Sequence, residues 1–139
     1  MARAQMGTEL HFVTKNETGV LGRVTVALAQ EGVYIVHLLA YSVGEKGYFQ
    51  IVTRDNEKAK KAISYFVLGI EEREILIVEF ENKVGTLAPV VKLLGNENIG
   101  VRYMYGTSGD GFKIVGVFST EDNQRAMDLI NRESGHMAI

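Results

Sequence analysis

The chain carries the hexapeptide Asn16-Glu17-Thr18-Gly19-Val20-Leu21 and repeats its pattern 66 residues later as Asn82-Lys83-Val84-Gly85-Thr86-Leu87. Each copy lies between a run typical of a strand and a run typical of an amphipathic helix. A glycine free to adopt a positive φ, followed by apolar helical residues, predicts a sharp strand-to-helix turn. Such a turn leaves the first N–H groups of the helix unpaired at the positive end of its dipole. The sequence therefore predicts two cradles for a carboxylate; the alternative is that both turns only build the fold.

The repeat extends well beyond the two turns. Over residues 10–42 an offset of 66 gives eight identities: Leu10/Leu76, Asn16/Asn82, Gly19/Gly85, Leu21/Leu87, Val24/Val90, Leu28/Leu94, Glu31/Glu97 and Ser42/Ser108. After the first hairpin the best offset falls to 64, aligning Gly47 with Gly111 and Tyr48 with Phe112, which predicts a two-residue deletion in the second hairpin. The repeat predicts an N-terminal extension at residues 1–8 and two units at residues 9–74 and 75–139.

Each unit reads as strand, helix, strand, strand, helix, strand. In the first unit we expect these elements near residues 9–15, 20–31, 33–43, 48–53, 55–65 and 67–74, with Asp55 or Asn56 capping the second helix. In the second unit the first four elements lie near residues 75–81, 86–97, 99–107 and 112–118. The fifth element, the last helix, follows Ser119 or Thr120, either of which is expected to cap it. Only residues 136–139 remain for a fourth strand, so it is expected to be short or missing.

This element order is the split βαβ arrangement of the ferredoxin-like fold. The predicted fold class is therefore α+β, with two βαββαβ units that each have an antiparallel sheet and helices on one face. Units this small bury little core alone, so we expect them to pair side by side and the chain to form a homodimer.

Composition narrows the function classes. The net charge of −2 gives no electrostatic reason to bind nucleic acid or an anionic membrane surface. The absence of cysteine excludes disulfides and thiolate metal sites and fits a cytoplasmic location. No apolar run is long enough for a signal peptide or a membrane span. The three histidines lack metal-site spacing, and no acid-base pair or activated nucleophile is apparent, so we expect no metal, no cofactor and no catalysis.

The two turns and the strands that follow their helices resemble the ACT domain, a small regulatory module that binds amino acids in enzymes of amino-acid metabolism. The family pattern is an Asn-x-Pro-Gly-x-Leu turn, an amphipathic helix and a Gly-Ile-Asn-Ile-like strand start. This chain offers the two turns above with Gly32-Val33-Tyr34-Ile35 and Asn98-Ile99-Gly100-Val101. It departs from the pattern at Thr18 and Val84, which replace the proline. It also departs at Tyr34 and Gly100, which replace a strand asparagine, and this argues against a small polar ligand such as serine.

The resemblance implies that ACT units meet edge to edge and bind an amino acid at the seam, near the turn of one unit and the second strand of its neighbour. The implied ligand-binding residues are Asn16, Thr18, Gly19, Val20, Leu21, Tyr34, His37, Asn82, Val84, Gly85, Thr86, Leu87, Gly100 and Tyr103. The apolar residues near the turns favour a branched-chain or aromatic amino acid.

The sequence leads to one principal hypothesis and two alternatives. The principal hypothesis is an amino-acid-binding regulatory protein whose effector shifts an oligomer or partner equilibrium, with any regulated enzyme on a separate chain. The first alternative is a structural oligomerisation module that binds no ligand. The second is a small ferredoxin-like enzyme, for which the sequence offers only His37 with neighbouring tyrosines.

Overall fold

The computed structural model describes residues 2–107 and 111–135. Its elements follow one another as β1 Arg3–Lys15, α1 Val20–Gln30, β2 Ile35–Val43, β3 Lys46–Thr53, α2 Asn56–Ile63, β4 Gly69–Glu81, α3 Leu87–Asn96, β5 Val101–Thr107, β6 Lys113–Thr120 and α4 Asn123–Glu133. The fourth strand considered at residues 136–139 lies outside the described residues.

The chain divides into two compact units. The N-terminal unit is Thr8–Arg73, and the C-terminal unit combines the residues from Glu74 onward with those before Thr8. In the N-terminal unit the strand order is β2-β3-β1-β4. In the C-terminal unit β4 takes the place of the first strand, giving the order β5-β6-β4-β1. Both units are therefore α+β and ferredoxin-like, which confirms the predicted fold class.

The N-terminal residues, assigned to an extension in the sequence analysis, are part of the C-terminal unit. Arg3–Gly7 of β1 lies beside β4 in this unit, as β4 lies beside β1 in the N-terminal unit. Ala4 is buried in the core of that unit together with Leu76. A Cβ on Gly7 would come within 2.9 Å of the Ile77 side chain, so the two strands approach closely there. One strand of the C-terminal unit is thus supplied from the opposite end of the sequence.

Each unit buries one face of its sheet under two helices. In the N-terminal unit Leu10 and Phe12 of β1 pack with Val24 and Leu28 of α1, and Ile63 of α2 closes the same core. Alternate residues of a strand share a face, and residues four apart share a face of a helix, so these spacings place all five side chains together. The C-terminal core repeats the pattern with Leu76, Val78, Val90, Leu94 and Ile130.

The strand pairing corrects the predicted alignment of the two hairpins. Leu10 pairs with Ile51, and its repeat partner Leu76 pairs with Phe118, so the offset after the hairpin is 67 and the offset of 64 was wrong. The cause is a longer second hairpin, since β3 follows β2 after residues 44–45 and β6 follows β5 after residues 108–112. An offset of 67 aligns six identical pairs: Lys46/Lys113, Thr53/Thr120, Asp55/Asp122, Asn56/Asn123, Ala59/Ala126 and Ile63/Ile130.

The corrected offset also identifies the cap of the last helix. The Asp122 carboxylate accepts a hydrogen bond from the Arg125 backbone N–H at 3.1 Å, as the Asp55 carboxylate does from the Lys58 N–H. Asp55 was one of the two residues expected to cap α2, and that prediction is confirmed. Ser119 and Thr120 were wrong for α4, because both lie in β6 and are buried there.

Candidate functional site

The two repeated turns have nearly the same backbone geometry. Gly19 has φ of 88° and Gly85 has φ of 85°, in the left-handed region that residues with a side chain rarely adopt. Helix α1 starts directly after Gly19, and α3 starts two residues after Gly85. Thr86 is the additional residue between Gly85 and α3, and its hydroxyl donates to the Glu81 carbonyl oxygen at 2.8 Å. The glycine in each repeat is therefore required by the turn itself.

Each turn asparagine ties its turn to the neighbouring hairpin. Asn16 Nδ2 donates to the Gly44 carbonyl oxygen at 2.9 Å, and Asn82 Nδ2 donates to the Gly111 carbonyl oxygen at 3.1 Å. The backbone N–H of Asn82 also donates to the carbonyl oxygen of Phe112 at 2.8 Å. In both units the asparagine side chain therefore fastens the turn to the hairpin through its amide nitrogen.

The helices behind these turns begin differently from the other two. Neither α1 nor α3 has a side-chain cap or an acidic residue in its first turn. Helices α2 and α4 are both capped, by Asp55 and Asp122. The first N–H groups of a helix have no partner within it, so an uncapped start leaves them to other acceptors. In α1 the Val20 N–H donates to the Glu17 carbonyl oxygen of the turn at 3.1 Å, so the groups available to water or to an anion lie further into the first turn. Both units therefore combine one capped helix with one open helix N-terminus at the repeated turn.

The strand residues of the implied site lie far from the turn of their own unit. Strand β2 begins at Ile35, which pairs with Thr53, and ends at Val43, next to the hairpin that holds Asn16. Tyr34 and His37 are therefore at the opposite end of β2 from the turn. The same order places Gly100 and Tyr103 at the start of β5, away from Asn82. Within a unit, the structure does not bring the two groups of predicted residues together.

Three of these strand residues have specific surroundings. The Arg54 guanidinium lies 3.9 Å from the centre of the Tyr34 ring, a cation–π contact. Burial lowers the pKa of His37, because desolvation disfavours the charged imidazole. A Cβ on Gly100 would clash with the Glu121 carboxylate, so the space beside this glycine is occupied by a side chain of its own unit.

Three cavities or clefts border the turns. In the N-terminal unit a cavity of about 330 Å³ lies beside Glu17, Val20 and Arg23, against residues 65–68. In the C-terminal unit a cavity of about 300 Å³ lies between α3 and α4, beside Gly85 and Thr86. A cleft of about 190 Å³ lies on the other side of the α3 start, between Leu87 and the β5–β6 hairpin. Gly85, Thr86, Val20 and Leu87 are the predicted site residues that line these spaces.

The sequence analysis missed the residues that form this last cleft. Met104, Gly106 and Gly116 line it with Leu87. An alignment of the two repeats with the offset of 67 would have indicated the cleft, since it shows that Gly116 replaces the large Phe49 of the other unit.

Among residues 2–107 and 111–135, no group of three or more histidine, aspartate or glutamate side chains is arranged to hold a metal ion. Within the same ranges no helix has the length and hydrophobicity to cross a membrane.

The two units, each with an αL glycine at the turn before its first helix, define this chain as a tandem pair of ferredoxin-like domains. Residues 6–137 match the family described as the ACT domain pair, and the chain belongs to that family. No curated protein sequence matches the chain.

Solved structures with the same fold are distant in sequence. Protein BT0572 from Bacteroides thetaiotaomicron is 22% identical, with a TM-score of 0.85 over 94% of this chain and 90% of its own. The regulatory subunit of aspartate kinase from Thermus thermophilus, in a ligand-free form, is 12% identical, with a TM-score of 0.67 over 95% of this chain and 96% of its own. The aspartokinase alpha and beta subunits are 14% identical, with a TM-score of 0.65 over 94% and 95%. At sequence identities this low, the similarity shows only that the fold is shared.

Proposed function

We propose that this protein is an amino-acid sensor whose effector binds with its carboxylate at one of the two repeated turns. The observation that carries the proposal is the difference between the helices: α1 and α3 start without a cap behind Gly19 and Gly85, while α2 and α4 are capped by aspartates. Backbone N–H groups at a helix N-terminus bind carboxylates well. Membership of the ACT domain pair family supports the same reading.

The proposed site lies at a seam between ACT units, with the turn on one side and a second strand on the other. In the full proposal Asn16, Thr18, Gly19, Val20 and Leu21, or Asn82, Val84, Gly85, Thr86 and Leu87, meet residues near Tyr34 and His37 or Gly100 and Tyr103. The separation of turn and strand residues within each unit supports a seam, because one unit cannot supply both. The protein acts without catalysis, in the cytoplasm, as a homodimer, and signals to a separate metabolic enzyme.

A specific observation favours a second candidate, a structural oligomerisation module. Strand β2 is the edge strand of the N-terminal unit and exposes Val36, Leu38, Tyr41 and Val43. An exposed apolar edge strand is a ready surface for pairing with another chain. In this candidate the edge assembles copies of the protein, and the turns bind nothing.

A thermal-shift screen of the purified protein against the twenty amino acids distinguishes the two candidates. A sensor gains about 2.7 kcal/mol of stability at 100 times the dissociation constant of its effector. For a domain pair of this size that gain raises the melting temperature by several degrees. A rise with one chemical class of amino acid supports the sensor, whereas a flat screen at millimolar concentration contradicts it and favours the module.

Valine substitutions at the turn glycines then test the proposed site. Gly19→Val and Gly85→Val each place a branched side chain at a positive φ and fill the space beside the open helix start. We expect one or both variants to lose effector binding in isothermal titration calorimetry. Unchanged affinity in both variants, with a cooperative unfolding transition retained, would exclude a turn-centred site.

A further inference from the structure

The two units differ in one layer, a row of side chains that face each other across neighbouring strands, and a cleft borders that layer in the C-terminal unit. In the N-terminal unit this layer consists of Phe12, Phe49 and Ala40, which are neighbours across β1, β3 and β2. The Phe12 and Phe49 rings stack with their centroids 4.7 Å apart, and both side chains are buried. Large aromatic rings therefore fill the layer completely in this unit.

The equivalent layer of the C-terminal unit has lost both rings. Val78 stands in place of Phe12, Gly116 in place of Phe49 and Gly106 in place of Ala40, as the strand pairing defines. Phe118 and Phe80, from the neighbouring layers, partly compensate by placing their rings 2.9 Å and 3.3 Å from the position of a Gly116 Cβ. The compensation is incomplete, because a cleft of about 190 Å³ remains. The cleft opens to the surface beside the turn, so a ligand side chain can enter it from solvent.

The lining of the cleft fixes the chemistry that it can accept. Phe80, Leu87, Met104 and Ile114 supply its apolar walls, and the two glycines supply its floor. None of the described residues that line it is charged. Thr107 supplies the one polar side chain among the described lining residues. An ammonium or a carboxylate would have no charged partner there, which makes a charged ligand side chain costly to accommodate. The volume suits a side chain of a few carbon atoms, smaller than the spaces of about 300 Å³ and more that hold whole drug-sized ligands.

We propose that this cleft of the C-terminal unit is the specificity pocket of the sensor and accepts the side chain of a branched-chain aliphatic amino acid. This inference rests on the proposed function and narrows it to one unit and one ligand class. Leu87 is both the first residue of α3 and a wall of the cleft, so a ligand side chain in the cleft lies beside the turn that is proposed to bind its carboxylate. In the N-terminal unit the buried Phe49 ring occupies the corresponding position, so the proposal is confined to the C-terminal unit.

The test uses matched substitutions in the two units of the full-length protein. Met104 pairs with Phe118 in the C-terminal unit, and Leu38 pairs with Ile51 at the equivalent position of the N-terminal unit. Both side chains are partly exposed, at 36% and 37%, so each tolerates a larger replacement. Met104→Phe narrows the cleft, Leu38→Phe is its control, and Leu93→Phe fills the separate cavity between α3 and α4. Binding of leucine, isoleucine, valine, alanine and glutamate is measured by isothermal titration calorimetry.

We expect the unmodified protein to bind leucine or isoleucine at least about tenfold more tightly than alanine, and to bind glutamate not at all. Met104→Phe should weaken leucine binding by about tenfold or more, while Leu38→Phe and Leu93→Phe leave it unchanged. Met104→Ala, which enlarges the cleft, should shift the preference from leucine toward phenylalanine. If Met104→Phe shows no cooperative unfolding transition, it is not folded, and Met104→Ala is used in its place. A change in ligand preference from leucine to phenylalanine in Met104→Ala requires a folded site.

The outcomes separate this inference from the proposed function. If the protein binds an amino acid but Met104→Phe has no effect, or if Leu38→Phe or Leu93→Phe abolishes binding instead, the pocket is wrong and the sensor stands. A preference for glutamate or another polar amino acid likewise overturns the pocket alone. If no amino acid binds the unmodified protein at millimolar concentration, the proposed function fails, and the pocket fails with it.

Discussion

The side chain of Asn131 in α4 forms two hydrogen bonds with the backbone of Ala4 in β1. The Ala4 N–H donates to Oδ1 at 2.8 Å, and Nδ2 donates to the Ala4 carbonyl oxygen at 2.9 Å. This pair joins residues 127 positions apart in sequence and fastens the strand that completes the C-terminal unit. One primary amide thus satisfies both backbone groups of a residue that is otherwise buried in the core.

Replacing Asn131 by alanine removes both of these hydrogen bonds. Two partly buried backbone groups then lose their partner, so we expect the free energy of unfolding to fall by about 1–3 kcal/mol. Urea denaturation measures the change. Gln124→Ala is the control, since Gln124 makes only an exposed hydrogen bond to Asp128 and should change stability by less than about 0.5 kcal/mol. Equal effects of the two variants would mean that the Ala4 contact does not hold the strand.

The two aspartate caps should contribute similarly in the two units. Asp55→Ala and Asp122→Ala each remove an acceptor for a first-turn N–H, and each should cost about 0.5–2 kcal/mol. Gln124→Ala, an exposed substitution in the first turns of α4, serves as the control in the same denaturation experiment. A loss at Gln124 as large as that at Asp122 would argue against the capping role.

The glycine of the second turn should not tolerate a side chain. Gly85 has a positive φ, so Gly85→Ala should cost about 1–2 kcal/mol even though a Cβ there would contact nothing. Gly22 lies within α1 and is also free of neighbours, but its backbone is helical. Gly22→Ala should therefore raise stability by up to about 1 kcal/mol. Thermal unfolding of both variants decides the matter, and a stabilising Gly85→Ala would refute the assigned backbone strain.

The lowered pKa of His37 predicts a pH dependence of folding. The folded protein binds the imidazole proton less readily than the unfolded chain, whose pKa is near the ordinary value of 6.5. Above that pH both states are neutral, and the residue has no effect on the pH dependence. As the pH falls below 6.5 toward the folded pKa, the unfolded state binds more protons and stability decreases.

His37→Gln isolates this contribution. The variant should lose part of the fall in stability between pH 7.5 and pH 5.5, measured by urea denaturation at several pH values. His11→Gln provides a comparison in β1 of the same unit, which β3 separates from β2. An unchanged pH profile in His37→Gln would show that other groups cause the decrease.

The positions of the turns and helices could be predicted from local sequence, while the pairing beyond the hairpin could not. Gly19 and Gly85 mark their turns because the backbone geometry there depends on a residue without a side chain. The spacing of Val24 and Leu28 predicts the buried face of α1, since it follows from the helical period alone. The second hairpin differs in length from the first, and no local pattern fixes how its strands align. Only the pairing of Leu76 with Phe118 establishes the offset of 67.

Of the candidate site, the sequence predicted the turns and missed the cleft. An αL glycine and an open helix start are properties of a few consecutive residues. A cleft depends on what lies across the sheet, and Gly116 becomes informative only when it is seen to replace Phe49. The predicted strand residues Tyr34 and Gly100 illustrate the same limit, because the contacts of Tyr34 with Arg54 and of Gly100 with Glu121 arise from folding.

The sequence by itself determined that this protein has two βαββαβ units with a glycine turn before the first helix of each. Those features depend on backbone conformation and on the period of apolar residues, both of which are local. The tertiary structure decided that Arg3–Gly7 completes the C-terminal unit and that the two cores pack differently. Both outcomes depend on which residues that are distant in sequence become neighbours in the fold. The burial of Ala4 and the packing of side chains across neighbouring strands determine those neighbours.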